Sequence, residues 1–211
     1  MSWFRKAAVD ALGWVDTRRS AVATIKWLRD NGVIPKTLVD AGANNSQWMM
    51  RLAREFQLAK IVSFEPQSAC RPLGRWHRVG LSDRDEGLAV SGSGTSAVLV
   101  PIPVSSETPI HAVHAYRLDR YADEFKFPAV LKVDTEDHTY RTLVGAGDCL
   151  GKFACVVVEI WEGLDAPCEG RNKHAEIHAL MWERGFNRAM TVGASAWRNH
   201  VSITDSLFWK E

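Results

Sequence analysis

Apolar residues along this chain fall first into helical spacing and then into short runs separated by helical stretches. Trp3, Phe4, Ala7, Ala8, Ala11, Leu12 and Val15 recur at nearly helical intervals, predicting an amphipathic helix. A second periodic stretch, Ala21–Asp30, meets Asn31-Gly32, a good helix stop. Beyond Pro35 the pattern predicts strands at Thr37–Asp40, Lys60–Phe64, Arg78–Leu81, Ala129–Val133 and Ala154–Ile160. The last of these, ACVVVEI, is the near-continuous β-branched run that a strand covered on both faces requires. Helices are predicted at Gln47–Gln57 (Trp48, Leu52 and Phe56 on one face), around Tyr140–Val144, and at Lys173–Arg184, where Gly185 stops the helix. Phe186–Val192 and Val201–Trp209 predict a closing pair of strands.

Strands alternating with helices imply an α/β fold with a doubly wound, mostly parallel sheet, because right-handed crossovers bury both faces. The final strand–loop–strand adds one antiparallel strand. Gly87–Tyr116 breaks the rhythm, and its SGSGTSAVLVPIPVSSETP run predicts a hairpin or lid. The 211 residues suit one domain, with residues 1–34 as an N-terminal helical segment and 87–116 as an insert.

Composition narrows the picture. A formal net charge of +1 gives no global basic field for nucleic acid. Cys70, Cys149, Cys155 and Cys168 form no C-x-x-C pair and read as reduced, buried thiols of a cytoplasmic protein. Asp10 and Asp16 interrupt the first apolar stretch, so neither a signal peptide nor a transmembrane segment is expected there. That helix packs on the domain, or else lies on a membrane surface or a partner.

In open α/β sheets ligands bind at the carboxyl ends of the strands. The strand ends here carry Asp40, Glu65, Asp83, Asp134 and Glu159. In VDAGANNSQW a strand turns through Gly42 into a helix, as nucleotide loops do, but the pattern is D-x-G-x-N-x-S rather than G-x-G-x-x-G. A carboxylate at Asp40 is misplaced beside a pyrophosphate and well placed beside a cation. S-adenosylmethionine, which has no phosphate, fits: its ribose would meet Glu65, and its ammonium and sulfonium would lie near carboxylates.

In order, DAGANNSQW, VSFEP, VGLSDRDEG, YRLDRYADEF, LKVDTEDHTYRTLVGA and VVVEIWE resemble the FkbM-type S-adenosylmethionine-dependent methyltransferases over roughly residues 37–162. The resemblance implies a seven-stranded, Rossmann-like class I methyltransferase sheet. It also implies methyl transfer to a hydroxyl of a small molecule, such as a sugar, glycolipid or secondary metabolite. Carried over, Asp40, Gly42 and Asn44 shape the loop around the cofactor's methionine part. Glu65 holds the ribose, with Pro66 and Gln67 beside it, and Ser82 and Asp83 approach the adenine. Lys132, Asp134, Glu136 and His138 line the transfer site, where Asp134 also faces the donor's ammonium. This chain departs from the pattern at Ser46 and Asp137, where the family has Gly, and at Thr139, where it has Glu.

A hydroxyl acceptor needs a general base. His138 is the first choice, because an imidazole titrates near neutrality, at about 6.5. A divalent cation held by Asp134, Glu136 and His138 is conceivable but not favoured. His174 and His178 lack the H-E-x-x-H arrangement and read as a solvated helix face. Two other functions stay open: a non-catalytic binding protein on the same fold, and a nicotinamide-dependent oxidoreductase.

Overall fold

The computed structural model describes residues 19–94, 97–102, 111–161, 174–197 and 200–211. The helix expected over Trp3–Val15 lies outside them, as does Cys168. A helix over residues 19–30 (α1) leads into β1 (Thr37–Ala41), followed by α2 (Met49–Glu55), β2 (Lys60–Phe64) and β3 (Arg75–His77). Next come β4 (Gly80–Leu81), β5 (Glu86–Ser91), β6 (Val98–Pro101) and β7 (His111–Tyr116). The chain then runs through β8 (Ala129–Val133), α3 (Thr139–Gly145), β9 (Cys155–Trp161), α4 (His174–Glu183), β10 (Arg188–Trp197) and β11 (His200–Trp209).

The main sheet has seven strands in the order β10-β11-β9-β8-β1-β2-β3. Pairings from β3 across to β9 are parallel, while β11 runs antiparallel to both β9 and β10. This is the expected doubly wound α/β sheet with one reversed strand. Its central strands bury alternate residues on opposite faces. Val39, Leu131, Val156 and Val158 join one apolar cluster; Leu38, Val130 and Val157 join the other, with Leu28, Met49 and Leu52. Full burial of each such side chain contributes about 1.5–3 kcal/mol. Trp48 Nε1 donates to Ser20 Oγ at 2.9 Å, tying α1 to the start of α2.

The single third strand expected at Arg78–Leu81 is instead two short ones. Arg75–His77 pairs with β2 in the main sheet, and Gly80–Leu81 pairs with β7 in a second sheet of order β4-β7-β5-β6. Arg78 and Val79 are the step between sheets. The segment read as a hairpin or lid supplies β5, β6 and β7, with β5 antiparallel to both neighbours. The closing strands extend further than their apolar runs, to Trp197 and back to His200. Among the described residues no helix is long and apolar enough to cross a membrane. Cys70, Cys149 and Cys155 are buried free thiols.

Candidate active site

The loop after β1 passes within touching distance of the loop after β8. Gly42 takes φ +79, and a Cβ built there would stand 1.8 Å from the Asp134 carbonyl oxygen. Only glycine fits, on conformation and on space. The Gly42 and Ala43 N–H groups both donate to the Phe64 carbonyl at 3.0 Å, which joins the loop to the end of β2. Asn44 then takes φ +46 and donates its N–H to Glu65 Oε2 at 2.8 Å. Glu65 Oε1 accepts the Gln67 N–H, also at 2.8 Å. Each carboxylate oxygen is thus aimed by one backbone donor and keeps further acceptor capacity.

Ser46 does not sit at the helix start as its sequence position suggests. It precedes α2 by three residues, at φ +51, and Trp48 occupies the cap position. Its hydroxyl donates to Asp40 Oδ2 at 3.0 Å and accepts the Leu73 N–H at 3.1 Å.

Charge collects around Lys132, which lies in register with Asp40 on the neighbouring strand. Its ammonium bonds Asp134 Oδ2 at 2.6 Å. Burial opposes that charge, but Asp134, Asp40, Asp205 and Glu159 together outweigh it and hold the lysine above its ordinary pKa. Asp40 is pushed up to about 6, first by burial and then by Asp134 and Glu65, with Lys132 and Ser46 opposing. Glu159 is raised well above the usual carboxylate range by burial, Asp134, Glu136 and Asp205, against Lys132. Carboxylate oxygens of Asp134, Glu136 and Glu159 all lie within 4.8 Å of one another. His138 is not in that group; the fold sets Glu159, rather than His138, beside Asp134 and Glu136.

These loops border a cleft that is open to solvent. Gly42, Asn44, Glu65, Pro66, Gln67, Asp134 and Glu136 line one part, and Leu81, Val90, Val98 and Leu99 line an apolar part. Gly80 admits Leu99, whose Cδ1 would be 2.7 Å from an added Cβ. Nothing in the Gly/Ser-rich pattern of the insert marked Val98 and Leu99 as a wall of this cleft.

The profile of the methyltransferase FkbM domain matches residues 40–188. The chain belongs to the FkbM methyltransferase family. No curated protein matches it. Among solved structures, this chain is similar to the methyltransferase FkbM of Methylobacillus flagellatus KT (TM-score 0.53, 11% identity). That match covers 83% of this chain and 44% of the other, so the chain spans under half that protein's length. The N-terminal domain of EvdMO1 with SAH bound is also similar (TM-score 0.50, 12% identity, 94% and 84% covered). So is the methyltransferase domain of bacterial CtHen1-C (TM-score 0.50, 10% identity, 91% and 97% covered). At these identities the likeness establishes the fold.

FkbM methyltransferases use S-adenosylmethionine, and the donor set suits that cofactor. A carboxylate fixed by two backbone donors and an apolar wall line the cleft, and among the described residues of the cluster around Lys132 carboxylates outnumber ammonium groups. Other residues tied to the cofactor by resemblance stand differently. Asp40, buried beneath the loop, and Ser82 and Asp83 lie outside the cleft lining. Asp83 Oδ1 accepts from Arg141 Nε at 2.9 Å and Nη2 at 2.7 Å, and Ser82 Oγ donates to Glu86 Oε1 at 2.6 Å. Arg141 also bonds Glu86. Burial works against the charge on Asp83, but Arg141 and Ser82 prevail and hold its pKa below the usual range.

His138 is 6% exposed and does not line the cleft. Its pKa is pushed down to about 4 by burial and then by Arg141. Arg141 Nη1 lies 3.2 Å from its Nε2, so that nitrogen accepts and the ring is neutral. Asp137 needs no left-handed backbone; the neighbouring Glu136 takes φ +52 instead. Arg141 carried no motif signal, and Glu159 was visible only as one strand end among several.

Proposed function

We propose that this FkbM methyltransferase transfers the methyl group of S-adenosylmethionine to a hydroxyl oxygen of a small molecule, such as a sugar or other metabolite. The observation that carries the reading is the excess of carboxylates over the buried Lys132 beside a cleft whose Glu65 is fixed by two backbone donors. When bound, the cofactor supplies an activated methyl on a sulfonium, so the protein has mainly to align the acceptor and remove its proton.

Glu65 accepts ribose hydroxyls, and Asp40 and Asp134 favour positive charge nearby. Lys132 stays an ammonium, bonded to Asp134 at 2.6 Å, and is unsuited to be the base. The acceptor's proton goes to Glu159, which is not itself in the cleft lining but has a carboxylate oxygen within 4.8 Å of those of the cleft-lining Asp134 and Glu136. Glu136 and Asp134 accept hydrogen bonds from the acceptor's other hydroxyls. His138, the base suggested by the sequence, supports the site from behind Arg141 in this reading.

Thermal-shift screening tests the first step. S-adenosylhomocysteine should stabilise the chain and NAD should not; stabilisation by NAD alone would sink the proposal. Transfer of labelled methyl to a panel of hydroxylated acceptors tests the second, with Glu159→Gln expected to lower turnover by 10²–10⁴-fold on the order usual for a general base. Cofactor binding with no transfer to any member of the panel would favour a non-catalytic binding protein.

A further inference from the structure

Gln67 lines the cleft two residues beyond Glu65, yet its side chain is bonded to another part of the fold. Its Nε2 donates to the Gly94 carbonyl at 3.0 Å, and its Oε1 accepts the Gly94 N–H at 2.9 Å. An amide paired both ways with one residue's backbone fixes orientation as well as distance, which a single hydrogen bond does not. Gln67 is itself held at the other end, since its N–H donates to Glu65 Oε1 at 2.8 Å.

Gly94 follows β5 and precedes β6, the strand that supplies Val98 and Leu99 to the apolar wall. Leu99 seats β6 over Gly80, where even one added carbon would meet Leu99 Cδ1 at 2.7 Å. Besides its ladder with β5, β6 is placed near the cleft by Leu99 on Gly80, and the chain entering it is anchored four residues earlier by Gly94 on Gln67. The second anchor leads to the loop carrying Glu65.

We infer that Gln67 is a positioning residue for the cofactor, acting through β6. Its amide holds the Val98–Leu99 wall at a set distance from Glu65, so the cleft is preorganised for a ligand with a polar ribose and a flat apolar base. The inference rests on the S-adenosylmethionine reading of the cleft. Preorganisation lowers the cost of ordering on binding, so its loss should appear mainly as faster release.

Gln67→Ala removes both bonds. Gln67→Glu retains an acceptor for the Gly94 N–H but sets a carboxylate oxygen against the Gly94 carbonyl. Titration with S-adenosylhomocysteine, stopped-flow release and amide hydrogen exchange at Gly94 read the consequences. Affinity should fall about tenfold in Gln67→Ala, mostly through faster release, and no less in Gln67→Glu. Exchange at the Gly94 amide should quicken in the ligand-free variants. A merely structural role would lower the fraction of protein able to bind while leaving the release rate of that fraction unchanged. Wild-type affinity and release rate in Gln67→Ala would overturn the inference alone. Failure of the wild-type chain to bind S-adenosylhomocysteine would overturn the cofactor reading and this inference with it.

Discussion

Ser46 and Asp40 are joined by a hydrogen bond of 3.0 Å that runs from the loop back to the strand it left. The same hydroxyl accepts the Leu73 N–H at 3.1 Å, although Ser46 sits at φ +51, where glycine is more at ease. Two hydrogen bonds thus accompany a backbone conformation that costs a non-glycine residue roughly 1 kcal/mol or more. Both Ser46→Ala and Ser46→Gly lose the bonds, but only glycine relieves the backbone. Ser46→Ala should therefore be less stable than Ser46→Gly by about 1 kcal/mol. Urea denaturation of the three proteins side by side gives the order.

Gly42 admits no such exchange. With a Cβ placed 1.8 Å from the Asp134 carbonyl, Gly42→Ala must push apart the two loops that frame the cleft. Losing the close approach also disturbs the Gly42 and Ala43 bonds to Phe64 at the foot of the Glu65 loop. We expect Gly42→Ala to lose the thermal stabilisation by S-adenosylhomocysteine even in preparations that remain folded. A wild-type shift in a folded Gly42→Ala protein would contradict the assigned geometry.

The central strands were legible because both of their faces are buried, so that β8 and β9 read as nearly unbroken apolar runs. Glu65 and Gly42 were legible for a related reason: strand ends and obligatory glycines are local features. β3 was not, since its three residues, Arg75, Trp76 and His77, carry no apolar run and owe their conformation to pairing with β2. The wall formed by Val98 and Leu99 depends on a second sheet whose pairings join distant segments. His138 shows the limit most clearly. Its motif position implied a reactive ring, whereas burial and Arg141 are tertiary facts that no spacing announces.

The His138–Arg141 relation is itself measurable. Burial is the larger cause of the lowered pKa and the Arg141 charge the second. Arg141→Met should therefore raise the His138 pKa from about 4 without restoring the ordinary value. Ring-proton titration by NMR reports this directly. The sign for stability follows: a neutral buried imidazole makes the folded state bind fewer protons than the unfolded one. Stability is lost as pH falls from about 6.5 toward 4, and Arg141→Met should shallow that loss.

Lys132 offers a test of the charge cluster without any ligand. It is 4% exposed and surrounded by Asp134, Asp40, Asp205 and Glu159. Lys132→Met preserves much of the volume but leaves those carboxylates without their cation. Breaking a buried pair in this way typically costs about 3–5 kcal/mol. The loss should be greatest at alkaline pH and should shrink on acidification, because protonated carboxyls no longer need a partner. Chemical denaturation at pH 5 and pH 8 separates this from a simple packing defect, whose cost would not change with pH.

The same cluster predicts how cofactor affinity depends on pH. Asp40 has a ligand-free pKa of about 6, so near pH 5 it holds a proton that a cation must displace; burial and neighbouring carboxylates raise Glu159 as well. Raising the pH removes the Asp40 proton. The raised Asp40 pKa means that ligand-free stability falls between roughly pH 4 and 6, while attraction for positive charge grows over the same interval. S-adenosylmethionine and S-adenosylhomocysteine share the amino acid and adenosine parts and differ in the charge at sulfur. The affinity ratio favouring the sulfonium compound should therefore rise from pH 5 to pH 7 and level off above. Asp40→Asn should flatten the rise. Calorimetric titration of both compounds across that range decides it, and a ratio independent of pH would mean that these carboxylates do not sense the charge on the sulfur.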